Sequence, residues 1–257
     1  MGRPTDEGRR RRALDQIRPY IERARRFSGW DFNSLSVRPL EPEPLWDYEA
    51  VARDHAGRTE RVLDMGTGGG EVLSRIAAGC SARFLATEHW AVNAPIARDL
   101  LVPLGIDVVR CNSLRLPFRD ASFDLVLNRH EELDPADVVR LLRPGGRFVT
   151  QQVSRKQQEE LRRFFPRKTD WGDHYGAYRR AFEAAGLTVH AQEHDWKVAY
   201  PTLGDLVFQM LVTPWEVPDF DPEREIDTLL AVEDTYATEE GIVLTEHRYL
   251  IVAEKLA

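Results

Sequence analysis

The segment Arg61-Val-Leu-Asp-Met-Gly-Thr-Gly-Gly-Gly70 constrains this chain more than any other. An apolar strand runs into Asp64 and then into glycines at 66, 68, 69 and 70, and Glu71-Val-Leu-Ser-Arg-Ile-Ala-Ala78 opens a helical pattern. A strand, a tight glycine turn and a helix N-terminus mark the place where an open α/β sheet holds a nucleotide-like ligand. Glycine takes positive φ freely and lets a ligand come against the main chain. Two common ligands are excluded by spacing. A dinucleotide fingerprint needs glycine at the sixth position from Gly66, where Glu71 stands, and the Gly-Lys-Ser/Thr ending of a phosphate-binding loop is absent. What remains is Asp-x-Gly-x-Gly-x-Gly, or a glycine turn with no ligand.

Three downstream segments favour a ligand. Ala82-Arg-Phe-Leu-Ala-Thr-Glu88 is a second short apolar strand ending in a carboxylate, eighteen residues after Gly70. An acidic residue at about this distance reaches ribose hydroxyls in a βαβ unit. Asp107-Val-Val-Arg-Cys111 is strand-like, and Asn112 to Asn128 runs through Leu116-Pro-Phe118 into Phe123-Asp-Leu-Val126. Leu141-Leu-Arg-Pro-Gly-Gly-Arg-Phe-Val-Thr150 reads as a helix ending at Arg143-Pro144, a glycine turn and another strand.

These four ordered motifs, over about residues 60–152, resemble the class I S-adenosylmethionine-dependent methyltransferases. The resemblance implies an α/β fold, a Rossmann-like seven-stranded mixed sheet with helices on both faces and an antiparallel last strand. It implies S-adenosylmethionine as cofactor, held by Asp64, Gly66, Thr67, Gly68 and Gly70 in the turn. Glu88 would take the ribose, with His89 and Trp90 after it. Asn112, Ser113 and Leu114 would lie at the adenine, and Asn128 at the fourth core strand. Asn112 stands where the family usually carries an aspartate; its amide carbonyl can still accept from the adenine amino group, without charge. Trp90 and Leu114 offer apolar walls for the ring.

The chain has 257 residues, enough for a full core, and a net charge of −7. No apolar run approaches the roughly 18 residues of a membrane span, and no apolar leader is visible at Met1-Gly-Arg-Pro. Cys80 and Cys111 form no CxxC, so reduced thiols and a cytoplasmic setting are expected. Residues 1–26 hold nine Arg against four Asp and Glu, or +5, while the remainder holds 26 basic and 38 acidic residues, or −12. Arg9–Arg12 would be a nucleic-acid arm or a solvated, partly disordered tail; the acidic body argues against a nucleic acid. The histidines show no metal-ligand spacing, so no metal is expected.

About 57 residues precede the first core strand. A helix starting at Pro19 and ended by Gly29, and another from Leu45 to Ala56, form an N-terminal helical cap, residues 1–57, ahead of the methyltransferase domain of 58–257. A polar helix is expected over about 156–165, another over 175–185, and strands over 187–198 and 245–255. Between the two strands lies an insert, about 201–241, with a helix around Leu203–Leu211 and an aromatic, proline-punctuated run to Phe220. Phe27, Trp30, Phe32 and Trp215 are the candidate walls of an acceptor pocket; packing on the sheet, or a homodimer contact for the insert, are the alternatives. A closed, apolar, acid-rimmed pocket suits a small neutral or cationic acceptor. His130, just past the fourth core strand, is the candidate general base because its ordinary pKa lies nearest neutrality, with Glu131 second. The expected function is methyl transfer to an O, N or S nucleophile of a small molecule; an RNA base methyltransferase and a non-catalytic cofactor-binding scaffold stay open.

Overall fold

The computed structural model describes residues 6–27 and 36–257. Its centre is one mixed sheet. Strands β2 (Arg61–Met65), β3 (Arg83–Thr87), β4 (Asp107–Val109), β5 (Phe123–Arg129) and β6 (Leu142–Gln152) run parallel, and β7 (Leu187–Tyr200) and β9 (Gly241–Lys255) form an antiparallel hairpin. Two two-residue strands, β1 (Arg38–Pro39) and β8 (Ala237–Thr238), pair with β7 and β9. The order is β1-β7-β9-β6-β5-β2-β3-β4. The seven longer strands match the expected mixed sheet, with β9 antiparallel beside β6; the two short strands are additions.

The central strands are continuous apolar runs because both of their faces are covered. Val62, Leu125, Leu127 and Val149 pack under α2 (Tyr48–Ala56), α3 (Glu71–Ala77) and α4 (Asn93–Leu101). Leu63, Met65, Val126 and Phe148 pack under α5 (Pro135–Leu141) and α6 (His174–Ala184), where Phe182 and Tyr178 are buried. Asp47 caps α2 by accepting from the Glu49 and Ala50 N–H groups at 2.9 and 3.3 Å.

The hairpin is longer than the sheet it borders. β6 stops at Gln152, opposite Tyr249, while β7 and β9 stay paired up to Tyr200 and Ile242. That projecting half forms a second core with α1 (Asp6–Arg25), α7 (Leu203–Val212) and α8 (Ile226–Tyr236), through Ile17, Ile21, Leu206, Val207, Leu229 and Leu244. The N-terminal helix and the insert thus share one apolar cluster beyond the carboxyl ends of β5 and β6.

Several local expectations differ. The N-terminal helix starts at Asp6, not at Pro19, and Pro19 lies inside it. Ala13, Ile17 and Ile21 recur at one-turn spacing on its buried face, which outweighs the one backbone bond that proline removes. The arginine run is helical rather than a disordered tail. Arg9 is bidentate to Asp234, and Arg10 lies 3.1 Å from Asp227. The polar stretch near 156–165 forms turns and a short 3₁₀ segment (Glu159–Arg163) instead of an α-helix. Its side chains are drawn to the hairpin: Gln157 accepts from the His247 N–H at 2.8 Å, and Glu160 accepts from the Thr245 hydroxyl. The insert also holds α8, which the sequence pattern leaves as loop.

Gly204 on α7 lies against the Tyr20 ring, and a Cβ there would overlap the ring carbons. Gly204→Ala is expected to lower stability by about 1–3 kcal/mol through overpacking. An unchanged thermal melt would show that α1 does not pack tightly on α7.

Candidate active site

The loops leaving β2, β3, β4 and β5 meet at one edge. Gly66, Gly68 and Gly70 have φ of 65°, 65° and 90°, values glycine adopts without strain. Space also restricts two of them: a Cβ on Gly66 would run into the Glu131 side chain, and one on Gly70 would lie 2.8 Å from Leu101 Cγ. Glu88 is 5% exposed, and its two oxygens accept from the Gly68 and Trp90 N–H groups, each at 2.7 Å. The carboxylate therefore ties the glycine turn to the loop after β3, and each oxygen retains acceptor capacity. Asn112 Oδ1 accepts from the Leu114 N–H at 2.7 Å. The amide carbonyl expected at an adenine is thus engaged inside its own turn, leaving Nδ2 as the uncommitted donor. Trp90 and Leu114 are 46% and 40% exposed, on loops joined by the Arg110 Nε bond to the His89 carbonyl at 3.3 Å. His89 itself is exposed.

Three carboxylates are crowded here. Burial raises Asp64 to about 7, with the charge of Glu88 adding to the shift. Burial also raises Glu88 and Glu131, and Glu88 repels Glu131. Around them sit buried polar atoms without a hydrogen bond of regular geometry: Thr67 Oγ1, Asn93 Oδ1, Ser113 Oγ and Asn128 Nδ2. Asn128 is fully buried, with Oδ1 accepting from the Thr150 hydroxyl at 2.9 Å and from Gln152 Nε2. Thr67 and Ser113 lie close enough to Asp64 and Glu131 to offset part of their upward shifts, which leaves Asn93 Oδ1 and Asn128 Nδ2 in need of partners. Acidic charge beside a cradle of glycines, with these two atoms, fits the sulfonium, ribose and amino-acid parts of S-adenosylmethionine.

His130 has φ of 59° and donates its N–H to the Gln151 carbonyl at 3.0 Å. Such a backbone in a non-glycine residue is strained. Burial, with the Arg248 and Arg129 charges, pushes its pKa well below the ordinary histidine value. The ring is therefore neutral near pH 7, and its protonated form is disfavoured.

Of the expected acceptor walls, Phe27 packs edge-on against Phe208 of α7, with ring centroids 5.8 Å apart. Trp30 and Phe32 lie outside the described residues. Trp215 is half-buried in the insert, its carbonyl accepting from the Thr169 hydroxyl. Sequence reasoning missed Trp46, Tyr48, Arg129, Gln151 and Arg248. Arg129 ends β5 and Gln151 lies one residue before the end of β6, the same kind of signal that singled out Glu88. Arg248 depends on hairpin register and leaves no local signature. Among the described residues no group of three or more His, Cys, Asp or Glu side chains is arranged to hold a metal, and no helix is long and apolar enough to cross a membrane.

Comparison with known proteins agrees with this geometry. Residues 63–150 match the family model of a methyltransferase domain. A ubiquinone/menaquinone biosynthesis C-methyltransferase from Pseudoalteromonas translucida is 28% identical over 130 residues, covering 46% of this chain and 52% of that protein. The chain spans about half the length of the curated relatives it matches. A functionally unknown protein from Deinococcus radiodurans R1 has a TM-score of 0.61 at 18% identity, covering 95% of this chain and 100% of that one. A putative methyltransferase from Bacillus halodurans C-125 has a TM-score of 0.57 at 17% identity, covering 81% and 99%. The structural likenesses show the fold. Taken together, the domain match over residues 63–150 and the fold support a class I S-adenosylmethionine-dependent methyltransferase.

Asp64 gives a pH signature. The unfolded chain releases this proton near 3.8, whereas the fold keeps it until about 7. Stability from this group is therefore lost as pH rises through that window, by about 4 kcal/mol at most. Asp64→Asn should flatten the decline in the ligand-free protein, leaving the smaller part due to Glu88 and Glu131. A difference between variant and wild type that stays constant from pH 4.5 to 7.5 would refute the assignment.

Proposed function

We propose that this protein transfers a methyl group from S-adenosylmethionine to a small-molecule acceptor. The observation that carries the reading is the convergence of Asp64 and Glu88, both buried, and the partly buried Glu131 on a glycine turn that leaves the backbone open, with the charge of Glu88 disfavouring ionisation of the other two. A cationic ligand relieves that repulsion. When bound, S-adenosylmethionine supplies an activated methyl group that passes in line to a nucleophile as the carbon–sulfur bond breaks.

The chain's own residues then chiefly position the reactants. Glu88 takes the ribose hydroxyls with its spare lone pairs, while Trp90 and Leu114 flank the adenine. Asn93 and Asn128 satisfy their polar atoms on the ligand. Glu131 lies over Gly66, beside the expected path of the methyl group. His130, neutral near pH 7, removes a proton only where the bound acceptor offsets the Arg129 and Arg248 charges; elsewhere it serves to shape the loop.

The curated relatives are named C-methyltransferases, so carbon joins oxygen, nitrogen and sulfur as a candidate nucleophile. Less supports the RNA reading, because Arg9 and Arg10 of the basic run are bridged to carboxylates of α8, leaving Arg11 and Arg12 exposed. Incubation with tritium-labelled cofactor and either RNA or a metabolite extract distinguishes the two. Label in the small-molecule fraction supports the proposal; label confined to RNA overturns it. No transfer with intact cofactor binding favours the scaffold.

Glu88→Ala removes an acceptor of charge-assisted hydrogen bonds, each worth about 1.5–3 kcal/mol. Affinity for S-adenosylhomocysteine should fall roughly tenfold to several-hundredfold by calorimetry. Undiminished affinity in a folded variant would remove Glu88 from the cofactor site.

A further inference from the structure

On the face of the sheet covered by α2, the carboxyl edge carries a line of cationic and amide side chains that the cofactor does not account for. Arg129 of β5 stands opposite Gln151 of β6, and Gln151 stands opposite Leu250 of β9. Arg248, two residues from Leu250, lies on the same face one pleat farther out. The line thus runs from β5 toward the projecting hairpin, away from the glycine turn of β2. Trp46 donates its indole N–H to Gln151 Oε1 at 2.9 Å, and the Arg248 guanidinium lies 5.6 Å from the Trp196 ring centroid.

The two arginines differ in one respect. Arg248 is bridged to Glu246 at 3.1 Å and donates to Gln157 Oε1. Arg129 has no carboxylate within 4.0 Å among the described residues, and its Nε is buried without a hydrogen-bond partner. Its guanidinium lies 5.9 Å from the ring centroid of Tyr48, whose buried hydroxyl also lacks a regular hydrogen bond. The adjacent His130 Nδ1 is buried and unpartnered. A half-buried guanidinium of this kind is costly unless an anion completes it.

We propose that Arg129, with Tyr48, forms an oxyanion subsite that binds a carboxylate or equivalent anionic group of the acceptor. This rests on the methyltransferase reading and gives that acceptor a charge. It also reverses the expectation, drawn from an apolar, acid-rimmed acceptor pocket, of a neutral or cationic molecule. Burial lowers the Arg129 pKa, the direction expected of a cation awaiting its counter-ion. Guanidinium offers a carboxylate two parallel donors, and the Tyr48 hydroxyl supplies a third.

Two carboxylates have access to such a subsite, that of the acceptor and that of the cofactor's own methionyl end. The acceptor is preferred because Gln151, Arg248 and His130 continue the polar line toward the projecting hairpin. Calorimetry on protein saturated with S-adenosylhomocysteine tests this, with 4-hydroxybenzoate as probe and 4-hydroxybenzamide as its uncharged counterpart. The benzoate is expected to bind at least tenfold more tightly than the benzamide. Arg129→Gln should erase that preference while changing S-adenosylhomocysteine affinity less than twofold. Arg129→Lys should keep part of it. Tyr48→Phe, which removes only the hydroxyl, should reduce it several-fold and provides the measurement if Arg129→Gln does not fold. Equal binding of the two probes to the wild type, or a preference that survives in Arg129→Gln, overturns the proposal. So does a tenfold loss of S-adenosylhomocysteine affinity that its decarboxylated analogue escapes, since the carboxylate is then the cofactor's. Failure of the wild type to bind S-adenosylhomocysteine at all instead sinks the methyltransferase reading.

Discussion

Glu88 joins two loops through a single carboxylate. One oxygen holds the Gly68 N–H and the other the Trp90 N–H, each at 2.7 Å, at a residue almost wholly buried. Charge-assisted bonds of this kind contribute about 1.5–3 kcal/mol each, and removing their acceptor leaves buried donors unpaired. They fix the glycine turn relative to the neighbouring strand, and hence the position of every group around it. The arrangement also constrains the other acids. Burial raises both Asp64 and Glu131, and the neighbouring Glu88 carboxylate adds to each shift. The fold therefore holds an electrostatic tension that a cation at the turn would release.

The projecting β7–β9 hairpin solves a different problem. Parallel strands end at a shared edge and offer nothing beyond it to build on. By outrunning β6, the hairpin gives α1, α7 and α8 an apolar surface on the ligand side of the sheet. The exchange is visible along β9 itself. Leu250 and Val252 pack under α2, Arg248 and Glu246 form a polar step, and Leu244 and Ile242 enter the second core. One strand thus contributes to two cores and to the polar band that separates them.

How much of this was legible in the sequence depended on range. The turn at 66–70, Glu88 and the succession of core strands along the chain follow from spacing within βαβ units, where each motif is local, while their arrangement in the sheet follows from the family resemblance. The helix expected over Leu45–Ala56 ends where the pattern puts it, but it starts at Tyr48, behind the Asp47 cap. The arginine run was misread because its partners, Asp227 and Asp234, lie more than 200 residues away. The stretch near 158 was misread for the same reason, since its side chains answer to Thr245 and His247 rather than to helical periodicity. Asn112 was placed correctly at its loop, yet the bond from its carbonyl to Leu114 is a turn property that residue type alone does not reveal.

Charge makes the same point on a larger scale. A net −7 says little about a site when the charges are sorted by position. Around the turn the groups are Asp64, Glu88 and Glu131; toward the hairpin they are Arg129 of β5, Arg248 of β9 and a neutral His130. The two sets lie along one sheet edge, and Asp64 of β2 and Arg129 of the adjacent β5 share a face one pleat apart without an ion pair between them within 4.0 Å, among the described residues. Had they been bridged, each would have neutralised the other and the edge would be electrically quiet. Kept apart, they form a dipolar floor, negative under the turn and positive toward the hairpin. On the proposed reading, such a floor orients a cationic donor and an anionic acceptor before any reaction. Preorganised charge of that kind costs folding stability and favours the encounter of the two reactants.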